Sequence, residues 1–354
     1  MTTPAEEFRR AFHDRYLRAL FLNRYTDNSD PRRGLITNGA MSVSRAVDTV
    51  CFIEDHVQQL GALWADLSDE RSRETLLFHY LNRAVSNFCS KAPHVDEAFA
   101  TEFQGIERFR TATPKRLSPH QWLPTPVYLE EYALPVNGHG VTLETNDVSA
   151  IEVFRLNQYR TPEPGAIGVR PGDVVIDGGA CWGDTALYFA AETGGDARVF
   201  AFELSRSNIE ILEANLARNP ALAGCVEVVN SPLADVRDLP MFVVDRGAAS
   251  QVSVKDNGGA RLVAKTLDQF VEDRGLDRVD FIKLDVEGAE RLVLDGAAET
   301  IRRFRPRLAV SVYHRRDDPF VLHQQIKRFG GDYEFRLKGV SMNYGETVLF
   351  AAPR

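Results

Sequence analysis

The 354-residue sequence has no CxxC pair, and no histidine cluster accompanies its four cysteines, Cys51, Cys89, Cys181 and Cys225. That pattern excludes a zinc ribbon and a disulfide framework, and scattered thiols suit a reducing cytoplasm, the expected location. No run of about 18 apolar residues occurs, so no membrane span is expected. The start, MTTPAEEFRRAF, lacks the apolar segment of a secretory signal. A basic excess is missing too: 42 Lys and Arg against 50 Asp and Glu leave a net charge of −8. Phosphate contacts need Lys and Arg, so a small molecule is the expected partner and nucleic acid is not. Absent as well is the G-x-G-x-x-G turn that cradles a dinucleotide pyrophosphate.

What is present divides into two regions, expected at 1–125 and 126–354. The first reads as mainly helical. Val43, Val47, Val50, Val57, Leu60, Trp64 and Leu67 recur at helical spacing, as do Leu77, Leu81, Ala84 and Phe88. Asp30-Pro31 and Gly34 break an N-terminal stretch into a short helix and a loop. Pro93, Pro114, Pro119, Pro124 and Pro126 mark the segment before residue 126 as irregular. Short strands follow near 127–129, 134–136 and 141–145, with Asn137-Gly138 as a turn. From about residue 170, apolar strands at 173–177, 198–203, 226–229, 280–285, 307–312, 333–340 and 346–352 alternate with helices. Such alternation is the pattern of an α/β fold with a mostly parallel sheet. Residues 241–254 read as an inserted hairpin.

Four strand ends carry polar residues. VVIDGGACWGDT places Asp177, Gly178, Gly179, Gly183 and Asp184 where a strand turns into a helix. Small residues allow close backbone approach, and a helix start offers N–H groups. The spacing D-x-G-x-x-x-G suits a sulfonium cofactor, whose methionine end needs N–H donors and an acceptor and which has no pyrophosphate. In RVFAFELS, Glu203 and Leu204 end the next strand, and a carboxylate there can accept both ribose hydroxyls. In VVNSPLAD, Asn230 and Asp235 follow the third strand, where an adenine would lie. In DFIKLDVEGAE, Asp285 and Glu287 project from a strand end where ligands bind in open α/β sheets. Glu290 reads as a solvated or helix-pairing charge. LAVSVYH ends in Tyr313 and His314, and His is the commonest base near neutral pH.

The segments VIDGGACWGDT, FAFELS, KTLDQF, FIKLDVEGAERLVLDGA, LAVSVYH and ETVLFA, in this order, resemble the FkbM family of S-adenosylmethionine-dependent methyltransferases over roughly residues 155–352. LSDERSRETLLFHYLNR is similar to the helical segment that precedes the catalytic domain in many members. The resemblance implies a Rossmann-like class I methyltransferase fold of seven strands, the last antiparallel. It implies O-methylation of a hydroxyl on a sugar, polyketide or other natural product. It also implies Asp177, Gly179 and Gly183 along the cofactor, Glu203 at the ribose, and Asp285 and Glu287 at the transfer centre.

The expected reaction is an in-line displacement in which His314 or Asp285 removes the hydroxyl proton. A divalent metal on Asp285, Glu287 and His314 is the less favoured route. The N-terminal helices are expected to cover the ligand edge of the sheet, and a homo-oligomer is left open. Three alternatives stand beside this reading: an NAD-dependent oxidoreductase, an N-methyltransferase acting on a small molecule or peptide, and a non-enzymatic cofactor-binding module.

Overall fold

The computed structural model describes residues 2–21, 43–85, 93–118, 127–247, 250–256, 258–340 and 346–354. Phe88, Cys89 and the prolines at 31, 119, 124 and 126 lie outside them. Helices α1 (Pro4–Phe21), α2 (Val43–Asp55), α3 (Val57–Asp66), α4 (Glu70–Ala84) and α5 (Pro93–Gly105) come first. Strands β1 (Arg116–Leu117), β2 (Tyr128–Val136) and β3 (His139–Thr145) make a small antiparallel sheet. Then come α6 (Asp147–Ser149), a π-helical turn at Ala150–Arg155, β4 (Asp173–Gly178), α7 (Asp184–Glu192), β5 (Ala197–Phe202), α8 (Arg206–Arg218), α9 (Pro220–Ala223) and β6 (Val226–Val229). Strands β7 (Leu239–Val244), β8 (Gln251–Ser253) and β9 (Ala260–Ala264) form a second small sheet. The chain closes with α10 (Leu267–Asp273), β10 (Phe281–Leu284), α11 (Glu290–Asp295), α12 (Ala298–Phe304), β11 (Arg307–Ser311), α13 (Asp318–Arg328), β12 (Tyr333–Gly339) and β13 (Thr347–Pro353).

All seven expected strands enter one sheet, in the order β12-β13-β11-β10-β4-β5-β6. β13 runs antiparallel to β11 and β12, while β11, β10, β4, β5 and β6 pair in parallel. This is the α/β, Rossmann-like class I methyltransferase architecture. The chain leaves β4 in one direction through β5 and β6, then returns on the other side as β10. The crevice between β4 and β10 is therefore the topological switch point, where such sheets bind ligands.

Alternation along the strands fills two cores. Ile176, Phe200, Phe202, Ile282, Leu284, Leu308 and Val310 face one side, together with residues of α1–α4 such as Phe8, Phe12, Leu60 and Leu77. Val175, Val199, Ala201, Phe281 and Ala309 face the other, with Phe99 of α5, Tyr132 and Leu143. The helical N-terminal region thus shares a hydrophobic core with the sheet.

Three local expectations need correction. The helical stretch expected from Val43 to Leu67 is broken at His56; its second half buries Val57, Leu60, Trp64 and Leu67 as expected, but the first half turns Ala46, Thr49 and Ile53 inward, with Val43 and Val47 70% and 54% exposed. Pro93 opens α5 instead of interrupting the chain, because a helix's first residue needs no N–H partner. The two strands expected between 127 and 136 are one, β2; the hairpin expected at 241–254 is present as β7 and β8, with β9 added as a third strand.

Of the N-terminal helices, α4 reaches the loop after β11 at the ligand edge through Tyr80 and Arg83, and it also lies along β12, at the open edge of the sheet. Leu67 bridges Phe335 in parallel, Ser68 N–H donates to the Phe335 carbonyl at 2.9 Å, and Leu337 N–H donates to Ser72 Oγ at 2.9 Å. An edge strand offers unpaired backbone groups, and these contacts satisfy them. Among the described residues no helix is long and apolar enough to cross a membrane.

Ser72 is buried, so Ser72→Ala should leave the Leu337 N–H without its acceptor. We expect a loss of about 1–3 kcal/mol in urea unfolding. A loss under about 0.5 kcal/mol would show that this contact does not hold the edge.

Candidate active site

The site begins with strand register. Lys283 pairs with Asp177 across β10 and β4, so their side chains emerge on the same face. Both are fully buried, and Lys283 Nζ lies 3.0 Å from Asp177 Oδ1. The ammonium also donates to the carbonyls of Gly178 and Gly179, at 3.2 and 2.7 Å. Burial would lower the lysine pKa, but Asp177 and Asp285 hold it above its usual value. Thr185 Oγ1 donates to the other Asp177 oxygen at 2.6 Å, fixing the start of α7 to the strand end. Asp184 is buried beside them, and burial raises its carboxyl to about 6.

The glycine loop is shaped by its neighbours. Gly179 has φ +80°, and a Cβ there would come 1.9 Å from the Asp285 carbonyl oxygen. Gly183 has φ +79°, and a Cβ would meet Leu212 at 2.8 Å. Close approach to a ligand was the expected reason for Gly179; the closest approach in the structure is to the end of β10. The N–H groups of Gly179 and Ala180 donate to the Phe202 carbonyl, and that of Cys181 donates to Glu203 Oε2 at 2.8 Å. Glu203 Oε1 accepts from Leu204 N and Ser205 N at 2.9 and 2.7 Å. Glu203 therefore fastens the glycine loop to the N-terminus of α8, capped by Ser205. Burial raises its carboxyl to about 7 against the three backbone donors. Asn230 Nδ2 donates to the Glu203 carbonyl at 3.0 Å, joining the ends of β5 and β6. Asp235 is exposed against Gly296 and is not among the residues gathered at these strand ends.

Beyond β10 the carboxylates cluster. Asp285 accepts from Tyr159 Oη and Tyr313 Oη, each at 2.9 Å. His314 Nε2 lies 3.7 Å from Asp285 and 3.6 Å from Glu287, and its Nδ1 lies 3.0 Å from Glu290. Glu290 is buried and accepts from Val286 N at 2.9 Å, so it is neither solvated nor a helix-surface charge as expected. Burial alone would lower the His314 pKa, but contact with Glu290 and the charges of Asp285 and Glu287 raise it to about 9. His314 is thus an imidazolium at neutral pH. The Glu287 carboxyl is raised to about 7 by desolvation and by the charge of Asp285. Its side chain is 65% exposed, which makes the like charge the more durable cause. Glu287 also holds φ +54°, a conformation a non-glycine residue adopts at a cost.

Asp285, Glu290 and His314 present ligand atoms within 4.8 Å of one another, a spacing compatible with a metal. A metal there would have to displace the proton that the neighbouring carboxylates favour on His314. Sequence reasoning passed over Lys283, Tyr159 and the role of Glu290. The signal for Lys283 was there, as a single cation inside the apolar strand FIKL. Tyr159 carried none, since it comes from a loop before β4.

Two outcomes follow from this geometry. Lys283→Met should strand the buried Asp177 charge and destabilise the fold by about 3–5 kcal/mol in denaturant titration; wild-type stability in the variant would refute the pairing. A raised folded pKa means that His314 contributes stability fully below its unfolded value of about 6.5, and that this is lost as pH rises through about 9. The stability gap between wild type and His314→Gln should therefore narrow from pH 6 to pH 9.5, and a constant gap would contradict the charge assignment.

Comparison with known proteins agrees with the fold. Residues 167–337 match the family model described as the methyltransferase FkbM domain. A solved methyltransferase FkbM from Methylobacillus flagellatus KT superposes with a TM-score of 0.54 at 18% identity, covering 85% of this chain and 60% of that one. AMB antimetabolite synthetase AmbE of Pseudomonas aeruginosa is 28% identical over 269 residues, 63% of this chain. The chain spans only 12% of that synthetase's length. The match over residues 167–337 is to a methyltransferase domain, and it favours that reading over the oxidoreductase and non-enzymatic alternatives.

Proposed function

We propose that the protein is an S-adenosylmethionine-dependent O-methyltransferase acting on a hydroxyl of a small molecule. The observation that carries this reading is the grouping, at the switch point, of a glycine loop, the buried Glu203 and the Asp285–Glu287–His314 cluster. The donor set fits such a cofactor. Its sulfonium and ammonium are cationic, and the crevice is rich in carboxylates. Asp177, Gly178, Gly179, Gly183 and Asp184 would line its methionine end, with Glu203, Leu204 and Asn230 at the nucleoside. When bound, S-adenosylmethionine supplies an activated methyl group.

The residues of this chain then divide the remaining work. Glu287, exposed and raised to about 7, is suited to take the acceptor hydroxyl's proton. It replaces His314 in that role, because His314 already holds a proton. His314 instead offers a fixed positive charge beside the oxygen that loses its proton. Asp285, held by two tyrosine hydroxyls, orients His314. A small-molecule acceptor is in keeping with the acidic balance and with the similarity to an antimetabolite synthetase.

Calorimetry with S-adenosylhomocysteine, using NAD as the control, tests the cofactor. We expect binding for the former alone, weakened about tenfold or more in Glu203→Gln, since a hydrogen bond to a charged group contributes about 1.5–3 kcal/mol. Binding of NAD instead would overturn the reading. With hydroxylated acceptors screened by product mass, turnover should rise with pH through about 7, and Glu287→Gln should lower kcat by about 10²–10⁴. An unchanged kcat would remove Glu287 from the mechanism.

A further inference from the structure

Two side chains of α4 reach the loop after β11, and a third reaches the start of β13. Arg83 of α4 donates from Nη2 to the Tyr313 carbonyl at 3.1 Å. Its Nε donates to His79 Nε2 at 3.3 Å, which makes that nitrogen an acceptor and puts the His79 proton on Nδ1. Nδ1–H then donates to Thr347 Oγ1, 3.1 Å away at the start of β13. Burial and the neighbouring Arg83 hold the His79 pKa well below its usual value, consistent with a neutral ring. One turn earlier, Tyr80 Oη donates to the Arg316 carbonyl at 3.1 Å. Tyr313 and Arg316 bracket His314. From the other side, Tyr313 Oη reaches Asp285, Arg315 Nη2 donates to the Gly288 carbonyl at 3.0 Å, and Arg315 N–H donates to Asp318 at 2.7 Å. The loop after β11 is therefore gripped between α4 and the cluster it serves.

We propose that Arg83 is a positioning residue for methyl transfer. It fixes the Tyr313 carbonyl and so places the Tyr313 hydroxyl on Asp285 and the His314 ring among Asp285, Glu287 and Glu290. The proposal rests on the reading of that cluster as the transfer centre. Arg83 touches neither the glycine loop nor Glu203 in the contacts described, so it acts on the acceptor side of the site and not on the cofactor side.

The test is the titration of the His314 ring by proton NMR, assigned with His314→Gln, in wild type, Arg83→Met, Arg83→Lys and Tyr80→Phe. Removing a nearby positive charge, by itself, would raise the His314 midpoint. Loosening the loop carries the ring away from its carboxylates and lowers it, and a carboxylate within about 4–6 Å shifts a pKa by about 1–3 units. We expect Arg83→Met to lower the midpoint by about one unit, with S-adenosylhomocysteine affinity within about twofold of wild type. Arg83→Lys should restore most of the midpoint, because an ammonium can still donate to the Tyr313 carbonyl. Tyr80→Phe, a smaller change that supports the measurement if Arg83→Met fails to fold, should lower it by a lesser amount. An unchanged or raised midpoint in Arg83→Met, or in Tyr80→Phe if that variant alone folds, overturns the proposal. Failure of the wild type to bind S-adenosylhomocysteine would instead sink the cofactor reading and leave the titration result standing.

Discussion

Asp177 and Lys283 face each other on the two central strands, both out of reach of water, and the carboxyl edge of the sheet is organised around them. Removing two charges from water costs several kcal/mol each, and only good geometry with further hydrogen bonds offsets it. Here the ammonium has three oxygen partners and the carboxylate has Thr185 besides. By drawing the Gly178 and Gly179 carbonyls inward, Lys283 sets the direction in which the chain leaves β4. That direction carries the loop past the end of β10, where only a glycine clears the Asp285 carbonyl. The same pair thus fixes the strand-to-helix turn and the neighbouring strand end from which Asp285 and Glu287 project.

Because the pair is neutral as a unit, the charge of the open part of the site is decided by other groups. One imidazolium stands among three carboxylates, which leaves an acidic mouth. The crowding has opposite effects on the two kinds of group. It makes His314 hard to deprotonate and Glu287 easy to protonate. Tyr159 and Tyr313 keep Asp285 oriented while supplying no charge. Lys338 in turn holds the loop bearing Tyr159, by donating to the carbonyls of Leu156, Asn157 and Arg160 at 2.6–2.7 Å.

The parts legible from sequence were those with a period. β12 (YEFRLKG) shows a strand's alternation, while the central sheet strands, such as FIKL of β10, are apolar runs buried on both faces and ending in polar residues. The strand-tip residues Asp177, Glu203, Asp285 and His314 were visible for the same reason. Glu290 was not, because a charge at a helix start looks the same whether it faces solvent or a histidine 24 residues later. The stripe of α2 was misplaced since Val43 and Val47 match a helical period as well as Ala46 and Thr49 do, and periodicity alone cannot say which face a partner covers. Tyr159 and Arg83 act through contacts more than 120 residues distant in sequence, and no local pattern marks them.

The cover over β12 bears on how the sheet and its helices can be handled apart from the N-terminal region. Leu67, Ser68 and Ser72 occupy backbone groups that would otherwise form a bare strand edge. A grafted domain beginning near residue 126 would carry that edge uncovered, together with the apolar surface that α1–α4 now shield. Neighbouring copies would be free to pair there, strand against strand. A usable transplant has to bring its own substitute for this flank, or place a charge or a proline along β12 to keep other strands away.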